Sequence, residues 1–188
     1  MAKSVMKEIW DFLWKSNSVW SWIVDLIIAF LIVMFIIFPI LGLIFNSPLP
    51  VVLVESTSML HETGFDQFWS SYGDFYQQNN ITKEEFSKFS LKSGFDKGDI
   101  MIIRGVNDYQ IGDVIVFRVP GQSTPIIHRI IKIENGIYST KGDHNPYQLS
   151  YEKSIQKSQI IGKAVGKIPK IGWIKMFFVD IYRAIIQQ

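Results

Sequence analysis

The sequence predicts a mainly β fold: a small antiparallel β domain with an N-terminal transmembrane helix and a helical insertion. Three observations lead there. Leu26 to Phe45, LIIAFLIVMFIIFPILGLIF, carries no charged residue and is long enough to cross the hydrocarbon core as a helix. From Phe95 onward, short β-branched runs are separated by Gly-Asp and Asn-Gly turns, without the intervening helical patterns a parallel sheet needs. Between those regions Phe65, Phe68, Trp69, Tyr72, Phe75 and Tyr76 recur with helical spacing, so the period changes from strand to helix and back.

Residues 1–25 form a cytoplasmic amphipathic segment, with Val5, Met6, Ile9, Trp10, Leu13 and Trp14 set against Lys7, Glu8, Asp11 and Lys15. With Trp20 and Trp22 following, this is the pattern of an interfacial helix. A partner-binding helix or a plain extension of the anchor fits equally well. Residues 26–45 are the transmembrane helix, with Pro39 and Gly42 kinking or loosening its distal end. The apolar run is too long for a signal-peptide core, and Asn46-Ser47-Pro48 is no small-residue cleavage site, so the segment is a permanent anchor. Lys3, Lys7 and Lys15 precede it, and no Lys or Arg follows until Lys83. The positive-inside rule then puts the N-terminus in the cytoplasm and the rest outside, as in a single-pass protein of the cell membrane.

The β domain is expected over 46–59 and 95–168. Val51–Val54 is its first strand, followed by 99–104, 113–119, 125–133, 137–140 and 160–168, with Asn135-Gly136 as a hairpin turn. Residues 60–94 are the insertion. Its first helix carries the aromatic stripe, and its second opens on a capping box, Thr82-Lys83-Glu84-Glu85, and ends near Gly94. The stripe packs onto the β domain, or else meets the membrane surface or a substrate. Residues 169–188 read as an amphipathic C-terminal helix, because Lys170, Lys175, Asp180 and Arg183 interrupt its apolar pattern and argue against a second span.

Composition excludes several functions. At 188 residues and 48% apolar content the chain holds one ordinary domain with appendages. A net charge of +2 is too small to argue for nucleic acid, and no nucleic-acid motif appears. Without cysteine there is no disulfide, thiol nucleophile or Cys-based metal site. No metal or other cofactor is expected.

The chemistry-bearing stretch is PVVLVESTSM, Pro50 to Met59. Ser56 and Ser58 stand at i and i+2, so on an extended chain they share a face. One hydroxyl can attack a carbonyl while the other donates to the oxyanion; a plain turn or cap is the alternative. A serine nucleophile needs a base. Of the three histidines, His61 opens the insertion, His144 sits in KGDHNP, and His128 lies in the apolar strand PIIHRIIKI. His128 is either structural or the base, and Asp143 follows it in a turn, giving Ser, His and Asp in an order compatible with a triad.

The blocks VVLVESTSM, FDKGDIMII, IGDVIVFR, PIIHRIIKI, STKGDHNP and IGKAVGKIPKIGW, in this order, resemble type I signal peptidase. They resemble the branch found in archaea and the endoplasmic reticulum, in which histidine replaces the bacterial lysine base. The resemblance covers roughly residues 26 to 59 and 95 to 173. It implies an antiparallel β catalytic domain of signal-peptidase type and a membrane-anchored serine endopeptidase that removes signal peptides after small residues. It assigns Ser58 as nucleophile, His128 as general base and Ser56 as oxyanion donor with the Ser58 N–H, and it matches Asp143 to the family's KGD aspartate. The implied partners are signal peptides of preproteins, the lipid bilayer and the secretion translocon. Two features depart from the family: the insertion, and Leu149, which stands where many relatives carry a further aspartate. Either Asp143 orients His128, or Ser58 and His128 act as a dyad. A catalytically inactive β module serving as a subunit or binding platform is the alternative from another class.

Overall fold

The computed structural model describes residues 2–16 and 18–170, in two compact units divided between Ile44 and Phe45. In the first unit the N-terminal segment is not one helix. Helix α1 spans Ala2–Lys15, and a new helix begins at Val19, capped by the Ser18 side chain, which accepts from the Ser21 N–H at 3.2 Å. The Ser21 hydroxyl donates back to the Phe12 carbonyl at 2.7 Å, so two serines make the corner. Trp20 and Trp22 therefore belong to the second helix, α2, Val19–Phe45, and not to the amphipathic one. Among the described residues, α2 is the one helix long and apolar enough to cross a membrane. Its turns widen to π-helix over Val33–Ile37, just before Pro39. Proline has no N–H for the preceding turn and its ring crowds that turn's carbonyl; a π-bulge is a common way to absorb both.

The second unit holds an antiparallel seven-stranded sheet: β1 (Val51–Leu53), β2 (Ile100–Arg104), β3 (Val114–Phe117), β4 (Ile126–Glu134), β5 (Ile137–Lys141), β6 (Ile155–Gln156) and β7 (Ile160–Ile168). Their spatial order is β1-β2-β7-β3-β4-β5-β6, so the mainly β, antiparallel expectation holds; β6 was not anticipated. Strand β3 occupies the centre and is buried on both faces. Val114 and Val116 join a cluster with Met59, Met101, Ile103 and Ala164. Ile115 and Phe117 join another with Ile130, Tyr138 and Ile155. Burial on both faces is why the run VIVF has no polar alternation.

The insertion packs as core. Helix α3 (Phe65–Gln78) and the single turn α4 (Lys83–Phe86) bury Phe68, Trp69, Tyr76 and Phe86 in one cluster with Ile131 of β4. The aromatic stripe thus lies against the β domain. The capping box forms as the sequence suggests, with Thr82 N–H to Glu85 Oε2 at 2.8 Å and Glu85 N–H to Thr82 Oγ1 at 3.2 Å. Helix α4 is shorter than the sequence implies, because the chain turns away after Phe86 toward Gly94. The amphipathic helix expected over 169–188 lies, beyond Lys170, outside the described residues.

Candidate active site

After β1 the chain leaves the sheet and turns over residues 55–59, where the Leu60 N–H bonds to the Thr57 carbonyl at 3.0 Å. Met59 is 1% exposed and locks this turn into the core. Ser58 beside it is half-buried and Ser56 is exposed. The two serines are not on an extended strand, yet their hydroxyls lie 3.1 Å apart. The turn is clamped from outside: the Ser58 carbonyl accepts from the His144 N–H at 2.8 Å, and the Met59 carbonyl from the Phe95 N–H at 2.9 Å.

Strand β4 carries His128, whose Nε2 is 2.9 Å from Ser58 Oγ. Its Nδ1 is 2.5 Å from Glu152 Oε1. Glu152 closes the short 3-10 turn Ser150–Glu152 after β5 and is fully buried. Its second carboxylate oxygen accepts the Leu149 N–H at 2.7 Å. A carboxylate on Nδ1 holds the N–H there and leaves Nε2 as an acceptor for a hydroxyl proton. Ser58, His128 and Glu152 thus stand in the geometric relation of nucleophile, base and orienting acid.

Asp143, which the sequence offers as the group orienting His128 with a Ser58–His128 dyad as the alternative, makes no hydrogen bond to that ring. Its buried carboxylate accepts from Arg129 Nε at 3.0 Å and Arg129 Nη2 at 2.7 Å, from the Tyr76 hydroxyl at 2.7 Å, and from His61 Nε2 at 3.1 Å. The reason is strand geometry. His128 and Arg129 are consecutive residues of β4, so their side chains leave on opposite faces of the sheet. Asp143 packs on the Arg129 side and Glu152 on the His128 side. Leu149, the position at which the family resemblance implies an aspartate, supplies its backbone N–H to Glu152, three residues later. The sequence did contain a signal for this, a lone Glu after the KGD turn, but nothing local distinguished it from a surface residue.

Burial by itself would raise the Asp143 carboxyl; the Arg129 guanidinium and the His61 hydrogen bond outweigh it and hold the group well below the usual carboxylate range. Burial and the adjacent Asp143 charge push the Tyr76 phenol well up. Lys141 is pushed down to about 8, mainly by burial, with Asp143 and Glu152 opposing. Gly142 sits where no side chain fits: an added Cβ would lie 2.8 Å from His128 Nε2, 2.9 Å from the Ser58 carbonyl oxygen and 2.6 Å from Asn145 Nδ2.

Ser56, Ser58 and His128 open into a cleft of about 550 Å³ whose walls include Val52, Ile127, Asn145 and Leu149. Among the described residues no cluster of His, Cys, Asp or Glu could hold a metal ion.

No family model matches the chain. It is similar to the signal peptidase complex catalytic subunit SEC11 of Leptosphaeria maculans, 32% identical over 104 residues, covering 48% of this chain and 60% of that protein. The protein of the same description from Saccharomyces cerevisiae (strain YJM789) is 32% identical over 103 residues, covering 48% of this chain and 62% of its own length. The chain thus spans about three-fifths of the length of the curated relatives it matches. Its homologues are SEC11 signal peptidase catalytic subunits, of the endoplasmic-reticulum branch that its sequence blocks resemble.

Proposed function

We propose that the chain is a membrane-anchored serine endopeptidase that cleaves signal peptides from exported preproteins after small residues. The observation that carries this reading is the pair of hydrogen bonds from His128, one to Ser58 Oγ and one to Glu152 Oε1. Ser58 Oγ attacks the scissile carbonyl and His128 Nε2 takes its proton. Glu152 holds the ring in the accepting tautomer and stabilises the imidazolium. The Ser56 hydroxyl and the Ser58 N–H donate to the oxyanion of the tetrahedral intermediate. His128 then protonates the leaving amine, and water hydrolyses the acyl-enzyme by the same route.

The anchor is the apolar stretch 26–45 within α2, with residues 1–25 cytoplasmic and the β domain on the far side, as the distribution of Lys and Arg supports. A signal peptide's apolar core stays in the bilayer and presents its cleavage site at the surface, so a tethered protease suits that substrate. The secretion translocon would deliver it. The inactive-module alternative drew its support from the missing acid at Leu149; Glu152 on His128 removes that support.

Detergent-solubilised full-length chain should cleave a preprotein at one site, and sequencing the mature N-terminus should place a small residue before the cut. Ser58→Ala should leave the preprotein intact. Equal cleavage by both would end this reading.

A further inference from the structure

Resting on that reading of the site, we infer that the helical insertion is a positioning element of the catalytic centre, acting through the loop Gly142–His144. This loop touches the nucleophile directly. The His144 N–H holds the Ser58 carbonyl at 2.8 Å, and His144 Nδ1 lies 3.1 Å from the Leu60 carbonyl. The Asp143 N–H points at Met59 Sδ at 3.2 Å. Gly142 faces His128 Nε2 too closely for any side chain. A shift of the loop therefore moves Ser58, its N–H and the face of the base together.

The loop is in turn held largely by the insertion. Tyr76 of α3 donates its hydroxyl to Asp143 Oδ1 at 2.7 Å, and His61, at the insertion's start, bonds to Oδ2 at 3.1 Å. The His61 ring is stacked on Phe68 at 3.6 Å between centroids, and its Nδ1 is buried with no partner. Its ring is therefore fixed by packing and spent on Asp143 alone. Arg129 completes the carboxylate's shell, and its remaining N–H groups go to the carbonyls of Ser90, Leu91 and Gly112, two of them in the insertion. A second tie runs through Lys141. Its ammonium donates to the carbonyls of Gly142 and Asp143 at 3.0 and 3.2 Å while lying 5.5, 4.9 and 5.3 Å from the ring centroids of Tyr72, Phe75 and Tyr76. Such contacts with ring faces are attractive, more so where water is excluded. Helix α3 thus contributes both the hydroxyl on Asp143 and the aromatic cage on the neighbouring cation.

The test uses the full-length protein and two readouts. Tyr76→Phe removes one hydroxyl and keeps the ring. Loss of a charge-assisted hydrogen bond should lower kcat about 10- to 100-fold, with KM within about twofold of wild type, as for a defect felt in the transition state. Amide hydrogen exchange should quicken in peptides spanning 56–61 and 141–146, with the protection of β3 and β7 unchanged. A merely structural role would speed exchange throughout and leave kcat near wild type in the folded fraction. Unchanged kcat with unchanged local exchange would overturn the inference. Hydrogen exchange also decides it if the wild type cleaves no preprotein, a result that counts against the proposed activity alone.

Discussion

Glu152 Oε1 lies 2.5 Å from His128 Nδ1, although the two residues are 24 positions apart and sit on different elements. The contact exists because the 3-10 turn at Ser150–Glu152 folds the acid back beneath β4, where the Leu149 N–H steadies its other oxygen. It gives two buried carboxylates of the domain different partners: Glu152 bonds to His128, and Asp143 bonds to Arg129.

Glu152→Gln should lower kcat by roughly three to four orders of magnitude with little change in KM, since an amide no longer favours the productive imidazole tautomer or stabilises the imidazolium. Leu149→Asp should not raise activity, because the position at Nδ1 is already occupied. Asp143→Asn should lose activity through the loosened 142–144 loop and, unlike Glu152→Gln, should also lose stability, about 3–5 kcal/mol for leaving the buried Arg129 charge unpaired. Steady-state kinetics and denaturant titration of the three variants check this. Full activity in Glu152→Gln would return the site to a Ser58–His128 dyad.

Gly142→Ala places a methyl group within 3 Å of His128 Nε2, the Ser58 carbonyl and Asn145. Each neighbour belongs to the site, so relief must come from parting Ser58 and His128. Activity should fall by about 100-fold or more, the scale on which small misplacements of reacting groups act, while the melting temperature drops only modestly. Preprotein cleavage compared with thermal unfolding tests it, and a fully active variant would mean the loop gives way without cost.

The buried Lys141 charge makes stability depend on pH in the alkaline range. Its folded value is about 8, against 10.5 for an ordinary lysine, so between these the unfolded chain binds the extra proton. Stability therefore rises as pH rises through this window. The cost of the buried charge is present in full below pH 8, on the order of 3 kcal/mol, and fades above it. Denaturant midpoints should increase from pH 7.5 to 9.5 in the wild type, and Lys141→Met should lack this increase. A slope shared by both would assign the effect to other groups. Asp143 acts at the opposite end. Its carboxyl is held low in the folded state, so its contribution is present above the unfolded value near 4 and is lost as pH falls below it.

What the sequence alone determined is whatever local pattern encodes. The apolar stretch within α2, the strand runs, the Asn135-Gly136 turn, the Thr82–Glu85 capping box and the aromatic stripe of α3 are all properties of neighbouring residues, and each could be read from spacing. Ser58 and His128 could be singled out because a hydroxyl cluster at a strand end and a histidine in an apolar strand are locally unusual. Tertiary structure decided which acid faces which base. That choice depends on the alternation of His128 and Arg129 across the sheet, on the turn that returns Glu152, and on α3 arriving beside Asp143 with Tyr76. None of these is a property of a contiguous stretch. Two carboxylates nine residues apart, Asp143 and Glu152, look alike along the chain; they differ only through the sheet face each one meets.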